Sequence, residues 1–382
     1  MSNLRANNIY DLNGGSNAQL YGIASPVGSM GFRNRILNGD MRLDQRNVGA
    51  AVTTDGAFPV DRFSVGKSND GAYSAQRSTT APAGFTNSLQ FTTTTADSSL
   101  AAGQFQFVVQ RVEGFNVADL GWGASGAQSV TLSFWVRSSL TGTFGGAIQN
   151  SGASRSYPFT YAISAANTWE QKSVTIPGDT SGTWLTNNGV GLSLVFGLGV
   201  GSTYSGTAGA WASADYQSAT GAVSVIGTLN ATWYITGVQL EVGTFQTAPT
   251  FERVEYGAML RACQRYFEKS FDTNQAPAHN TGEFIIHPNS GALGCGGNTY
   301  LSILFKVSKR ARSGTLRLYD PFAAHTSTEN WWRSFTNNCG GGTAIGPNAG
   351  FALDVYENFM SGYGQNFTDG GVCFHWTVSS EL

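Results

Sequence analysis

Residues 129–139 read SVTLSFWVRSS. Val130, Leu132, Phe134 and Val136 alternate with Thr131, Ser133, Trp135 and Arg137, the period of a strand with one buried face. The pattern returns in GLSLVFGLGV, with Leu192, Leu194, Phe196 and Leu198 in phase. WEQKSVTIPGD ends a strand in a turn at Pro177 and Gly178. In TWYITGVQLEV, Trp233 and Ile235 share one phase and Val238, Leu240 and Val242 the other, so a bulge is expected at Gly237. Short strands separated by turn signals, from about Phe32 to Thr247, predict a jelly-roll β-sandwich over residues 31–247.

Composition agrees with a mostly β chain. Charged residues make up 12% of the 382 residues, 49 are Gly and 24 are Phe. Many glycines and aromatics with few charges suit short strands and tight turns. The polar surface must come from Ser, Thr, Asn, Gln and Gly, as on secreted or virion surfaces; a secreted bacterial adhesin is the second class that composition allows. A net charge of -2 supplies no field toward nucleic acid or anionic membrane. The first residues, MSNLRANNIYDL, lack the apolar core of a signal peptide, and no apolar run is long enough to cross a bilayer. Neither a nucleic-acid partner nor membrane insertion is expected, and assembly in a host cytoplasm fits. Cys263, Cys295, Cys339 and Cys373 fall in no metal spacing and read as reduced, buried small hydrophobes, with a disulfide between two of the last three left open.

Residues 1–30 hold few large apolar side chains and cannot build a core. They read as an attachment arm in which Leu4, Ile9 and Leu12 gain partners from sister chains or a dock. PTFERVEYGAMLRACQRYFEKSF predicts a linking helix over residues 248–271. Thr250 is its candidate N-cap, acids lie in its first turns and Arg261, Arg265 and Lys269 near its end. Strand signals resume over residues 272–382, predicting a second, smaller β-sandwich. Leu301, Ile303 and Phe305 alternate, Leu316 and Leu318 precede a turn at Asp320 and Pro321, and Val372, Phe374 and Trp376 close the chain.

Taken in order, NRILNGDMRLDQRN, VTLSFWVRSS, NTWEQKSVTIPGDTSGTW and YITGVQLEVG resemble phage tail-fibre proteins with a carbohydrate-binding-module-like jelly roll. FERVEYGAMLRACQRYFEKSF resembles the helix that follows it in that family. FKVSKRARSGTLRLYDP and HWTVSSEL resemble the attached C-terminal β-domain. The resemblance covers most of residues 32–382. It implies a homotrimeric virion protein that docks on a phage tail or baseplate protein through its N-terminal arm and meets a host cell-surface glycan. A purely structural virion piece, such as a baseplate spacer or head decoration, is the alternative. Jelly rolls of this kind often hold calcium. This chain keeps Asn38, Gly39 and Asp40, but its last sandwich strand, Tyr234 to Val238, carries no carboxylate, so no metal or cofactor is expected.

Enzyme signatures are missing. There is no GxSxG elbow, P-loop or HExxH, and His279, His287, His325 and His375 are loosely spaced. Asp40 with Asp44 and Asp354 with Glu357 are carboxylate pairs by proximity in sequence, which we read as solvated surface acids rather than a glycosidase pair. A non-enzymatic binder is expected. Sugar rings stack on exposed aromatics while amides and carboxylates bind hydroxyls. Trp331 and Trp332, adjacent in sequence and so unable to share one strand face, are candidates together with Tyr363. Asn330, Asn366 and Asp369 are possible hydroxyl partners. These six place the expected receptor site in the C-terminal domain, with the jelly roll around Trp122 and Trp184 as the other location.

Overall fold

The structure is a computed structural model that describes residues 33–245, 247–282, 286–288, 298–312, 314–322, 332–335, 343–345, 351–365 and 371–382. The N-terminal strands are β1 (Phe63–Ser68), β2 (Ala72–Ser78), β3 (Ser88–Thr95), β4 (Phe105–Glu113), β5 (Val130–Ser138), β6 (Gly142–Gln149), β7 (Ser156–Ile163), β8 (Glu170–Ile176), β9 (Val190–Val200), β10 (Ser205–Gly206), β11 (Ser218–Ala219) and β12 (Thr232–Val242). Ten of them form two five-stranded sheets, ordered β1-β4-β9-β6-β7 and β2-β3-β12-β5-β8, with antiparallel pairing throughout. The chain crosses repeatedly between the two sheets, which makes the jelly-roll β-sandwich.

The alternation in the sequence becomes the sandwich interior. Phe134, Val136, Phe196, Trp233 and Ile235 are all fully buried in one cluster. Phe134 meets Phe196 edge-on at 5.2 Å, and Trp233 donates its indole N–H to the Tyr161 hydroxyl at 3.2 Å. The β12–β5 register slips between Thr236 and Gln239, and Gly237 there has φ of 62°. This is the bulge expected at Gly237, in a backbone region that favours glycine.

The outer face of the β1-β4-β9-β6-β7 sheet is covered by the chain itself. Residues 201–226 lie across it: Val223 N–H bonds the Thr143 carbonyl, and Ile226 N–H the Leu198 carbonyl, both at 2.8 Å. A Cβ at Gly197 would stand 2.7 Å from Ser218 Oγ, so glycine is what allows this cover to sit so close. β9 is therefore buried on both faces.

The Asn-Gly-Asp turn is a structural brace. Asn38 holds the Leu43 and Asp61 carbonyls through its side-chain amide, Gly39 accepts from Val238 N–H at 2.9 Å, and the Asp40 carboxylate pairs with Arg42 at 2.5 Å. Among the described residues, no group of three His, Cys, Asp or Glu side chains is placed to hold a metal. Asp40 and Asp44 are buried, which corrects their reading as solvated surface acids. Asp44 accepts backbone N–H groups of Asn47 and Gly49 and so closes a turn.

The helix is shorter than its sequence pattern predicts: α1 spans Tyr256–Gln264, and its N-cap is Glu255 in place of Thr250. The Glu255 carboxylate accepts from Gly257 and Ala258 N–H at 2.7 and 2.8 Å. Residues ahead of it are held extended by tertiary bonds. Glu252 N–H donates to Gln239, its carboxylate accepts from Asn34 N–H, and Phe251 meets Phe85 edge-on. Past the helix, Phe267–Lys269 leaves as strand β13 and pairs with the end of the chain. The expected helix over 248–271 thus splits into an extended lead, a nine-residue helix and a strand.

The remaining strands are β14 (Ile286–Pro288), β15 (Asn298–Leu304), β16 (Thr315–Tyr319), β17 (Trp332–Phe335), β18 (Thr343–Ile345), β19 (Phe351–Val355), β20 (Phe359–Gln365), β21 (Gly371–Cys373) and β22 (His375–Ser379). They give antiparallel sheets ordered β13-β22-β16, β14-β21-β17-β18 and β15-β20-β19. Leu318, Met360, Phe374, Trp376 and Val378 form their buried cluster. Cys263 is free and buried, but Cys373 is disulfide-bonded, which corrects its reading as a reduced cysteine. Pairing depends on the approach of two Cα atoms, which distance along the chain does not report.

Asn34–Leu382 is one compact unit, bound by ion pairs as well as apolar contacts. Glu113 on β4 takes a two-pronged bond from Arg265 at 2.6 and 2.8 Å and accepts from the Tyr266 hydroxyl at 2.7 Å. The Arg62 guanidinium lies 3.6 Å over the Tyr266 ring, and Glu381 near the chain end pairs with both Arg46 and Arg62. Lys309 and Glu268 pair at 2.7 Å with both side chains fully buried.

Candidate functional site

At one end of the sandwich the loop after β4, the β6–β7 hairpin, the β8–β9 loop and the segment between β10 and β11 converge. Each of three of these segments contributes a tryptophan. Trp122 and Trp184 lie 4.7 Å apart between ring centroids, Trp122 and Trp211 5.4 Å, and Trp184 and Trp211 5.5 Å. All three contacts are near-perpendicular, at 76° to 81°, the edge-to-face arrangement that aromatic quadrupoles favour. The rings rest on the sandwich core yet stay partly exposed. Tyr157 backs Trp211 at 5.2 Å.

Each indole is tied down through its N–H. Trp122 donates to the Gln128 carbonyl at 2.8 Å, Trp184 to the Ser181 carbonyl at 3.1 Å and Trp211 to the Pro177 carbonyl at 2.8 Å. The donors are spent internally, so the cluster offers outward mainly ring faces and edges. Ordered rings lose little entropy when a ligand settles on them.

A polar frame fixes the loops. Arg155 grips Asp179 with two bonds, at 2.7 and 2.8 Å, and donates a third to Ser213 Oγ at 2.9 Å. The Asp179 side chain is 2% exposed, so the pair works inside the frame. The hydrogen bonds that Arg155 donates to Asp179 raise its pKa. Asn150 accepts from Ser154 and Arg155 N–H and donates to the Thr183 carbonyl at 3.1 Å. Gly123 has φ of 91°, and a Cβ there would stand 2.7 Å from the Gly182 carbonyl oxygen, so glycine lets these two loops touch beside Trp122. Ser125, Gln128, Ser154, Ser181, Thr183 and Ser213 are exposed on the converging segments and supply uncharged hydrogen-bonding groups.

No protein-family model matches the chain, and no curated protein matches it in sequence. Among solved structures it is similar to the enzymatically active domain of tailspike protein 4 of bacteriophage CBA120, at 10% identity and a TM-score of 0.31 over 55% of this chain and 22% of that one. The similarity therefore spans less than a quarter of the tailspike chain. It is also similar to the family 11 carbohydrate-binding module of a Clostridium thermocellum cellulosomal cellulase, at 12% identity and a TM-score of 0.26 over 52% of this chain and 99% of that one. The N-terminal cellulose-binding domain of Cellulomonas fimi β-1,4-glucanase C gives 14% identity and a TM-score of 0.27 over 52% and 98%.

Of the residues singled out from sequence, Trp122 and Trp184 come together here. Trp211, Tyr157, Arg155 and Asp179 escaped notice; the signal for Trp211 was a lone indole in the Gly- and Ala-rich run GTAGAWASADY. Asn330, Trp331, Asn366 and Asp369 lie outside the described residues, as do Leu4, Ile9 and Leu12. Trp332 begins β17, and Tyr363 sits in β20 opposite Tyr300 and Ala352. Their side chains are likewise outside what is described.

Proposed function

We propose that this chain is a non-enzymatic bacteriophage tail protein that binds a host-surface glycan without covalent chemistry, using the Trp122–Trp184–Trp211 end of its jelly roll. The observation that carries this reading is the trio of partly exposed indoles whose N–H groups are already satisfied by Gln128, Ser181 and Pro177 carbonyls. Pinned aromatic surface suits the C–H faces of sugar rings, and the surrounding hydroxyls and amides suit their hydroxyl groups. The low charge of the chain supports an uncharged, hydrogen-bonding recognition chemistry at this end. Attachment through the N-terminal arm, a homotrimeric state, and assembly into a virion in the host cytoplasm belong to the same proposal and rest on the sequence resemblance. The direct test is a glycan array probed with the full chain, followed by competition of the best glycan against adsorption to host cells. Binding of a host-surface glycan that blocks adsorption is the expected result. A chain that enters virions but binds no glycan and no host cell would replace this reading with a structural virion piece.

A further inference from the structure

The outer face of the β2-β3-β12-β5-β8 sheet carries a second constellation, made of residues other than those of the three-tryptophan cluster. Phe134 and Val136 point into the core, so Trp135 and Arg137 lie on the outer face; Trp233 and Ile235 do the same for Tyr234. Register sets two lanes across the strands. Gln76 faces Gln90, Gln90 faces Tyr234, and Tyr234 faces Arg137. Beside them, Thr236 faces Trp135, and Trp135 faces Gln171.

Arg137 is held in place before any ligand arrives. Its guanidinium carbon lies 5.0 Å over the Tyr234 ring, and its Nε donates to the Asn167 carbonyl at 2.8 Å. Trp169 braces the far edge of Tyr234 at 6.2 Å. These contacts use the ring-facing plane and Nε, leaving the terminal Nη edge of a planar fork, and no carboxylate lies within ion-pair distance of Arg137 among the described residues. The nearby acid Glu170 is engaged: it pairs with Lys172 at 2.6 Å and accepts from Ser164 and Ala165 N–H. Two residues from Arg137, on the same face, Trp135 lies partly exposed beside Gly237, where the missing Cβ makes room for the Phe85 ring and for Trp135.

We infer that this face binds an acidic glycan, with a sugar carboxylate received by the fork of Arg137 and an adjoining ring resting on Trp135. A guanidinium fixed by stacking is suited to two-pronged recognition of a carboxylate, and its positive charge sets the sign of the ligand. Gln76 and Gln90 offer amides on the adjacent strands β2 and β3, about 4.8 Å apart, a step comparable to one sugar ring, and Gln171 on β8 stands beside Trp135. The site extends the glycan-binding reading to a second surface and does not depend on the tryptophan cluster.

The test uses the full chain and an array of uronate- and sialate-bearing oligosaccharides, each beside its carboxyl-reduced counterpart. The strongest acidic binder is then titrated calorimetrically into wild-type, Arg137→Gln, Arg137→Lys and Trp211→Ala proteins of matched melting temperature. Wild-type protein should prefer the acid over its reduced form by at least about tenfold and lose affinity as salt rises. Arg137→Gln should abolish the preference, Arg137→Lys should restore part of it, and Trp211→Ala should leave it intact. No preference for any acid, or a preference that survives Arg137→Gln, would overturn the inference. Loss of the preference in Trp211→Ala with Arg137→Gln unaffected would assign acidic binding to the tryptophan cluster instead.

Discussion

Replacing Glu113 by Ala should loosen the junction between the sandwich and the helix-led C-terminal part. The Glu113 carboxylate is 2% exposed and receives two bonds from Arg265 and one from Tyr266. Arg265 is 31% exposed and can regain water, whereas Tyr266 is fully buried and its hydroxyl cannot. Losing hydrogen bonds to a charged group costs about 1.5–3 kcal/mol, and an unpaired buried hydroxyl adds about 1–3 kcal/mol. We expect a loss of about 3–5 kcal/mol, the range for breaking a buried pair. Urea unfolding followed by tryptophan fluorescence measures it. Adding Tyr266→Phe to Glu113→Ala should recover the hydroxyl's share. Burial alone would raise the Glu113 pKa, but the Arg265 and Tyr266 hydrogen bonds outweigh it and hold the carboxyl below its ordinary 4.5. Its stabilisation should therefore be complete above that value and fade as pH falls through the lower folded one. The gap between wild type and Glu113→Gln should narrow on acidification over that window. A Glu113→Ala loss below about 1 kcal/mol, the scale of a surface pair, would refute the reasoning.

Two further outcomes follow from buried groups. Lys309→Met leaves the buried Glu268 without its ion-pair partner and should cost about 3–5 kcal/mol, while Lys309→Met with Glu268→Leu should recover most of it; equal losses in both urea titrations would contradict this. Cys263 is buried, and burial pushes its thiol pKa up, so a thiol reagent should label it only at denaturant concentrations that unfold the chain; rapid labelling of native protein would count against the packing.

The fold was legible where local alternation and burial coincide. Val130 to Val136 and Leu192 to Leu198 carry the pattern and line the core. Gly237 announced its bulge because a phase change in a strand needs one. The helix was read too long because its ends are decided by distant partners: Gln239 and Asn34 hold the lead extended, and β22 captures Phe267–Lys269. The site was legible only in part for the same reason. Trp122 and Trp184 stand out as indoles in Gly-rich loops, but Trp211 joins them from a segment that folds back along β7 through paired bonds between Ser156 and Ala212. The Arg155–Asp179 grip spans two loops, and nothing in either loop's own sequence calls for it.

The central claim, that the three-tryptophan end of the sandwich binds glycan, is tested most directly by calorimetric titration of the array-selected neutral glycan into wild-type, Trp211→Ala and Trp211→Phe proteins. The melting temperature of each is measured alongside. The account predicts that Trp211→Ala weakens binding by about tenfold to a hundredfold, or about 1.4–2.8 kcal/mol, that Trp211→Phe falls between, and that the sandwich still melts cooperatively. Unchanged affinity in both folded variants would contradict it.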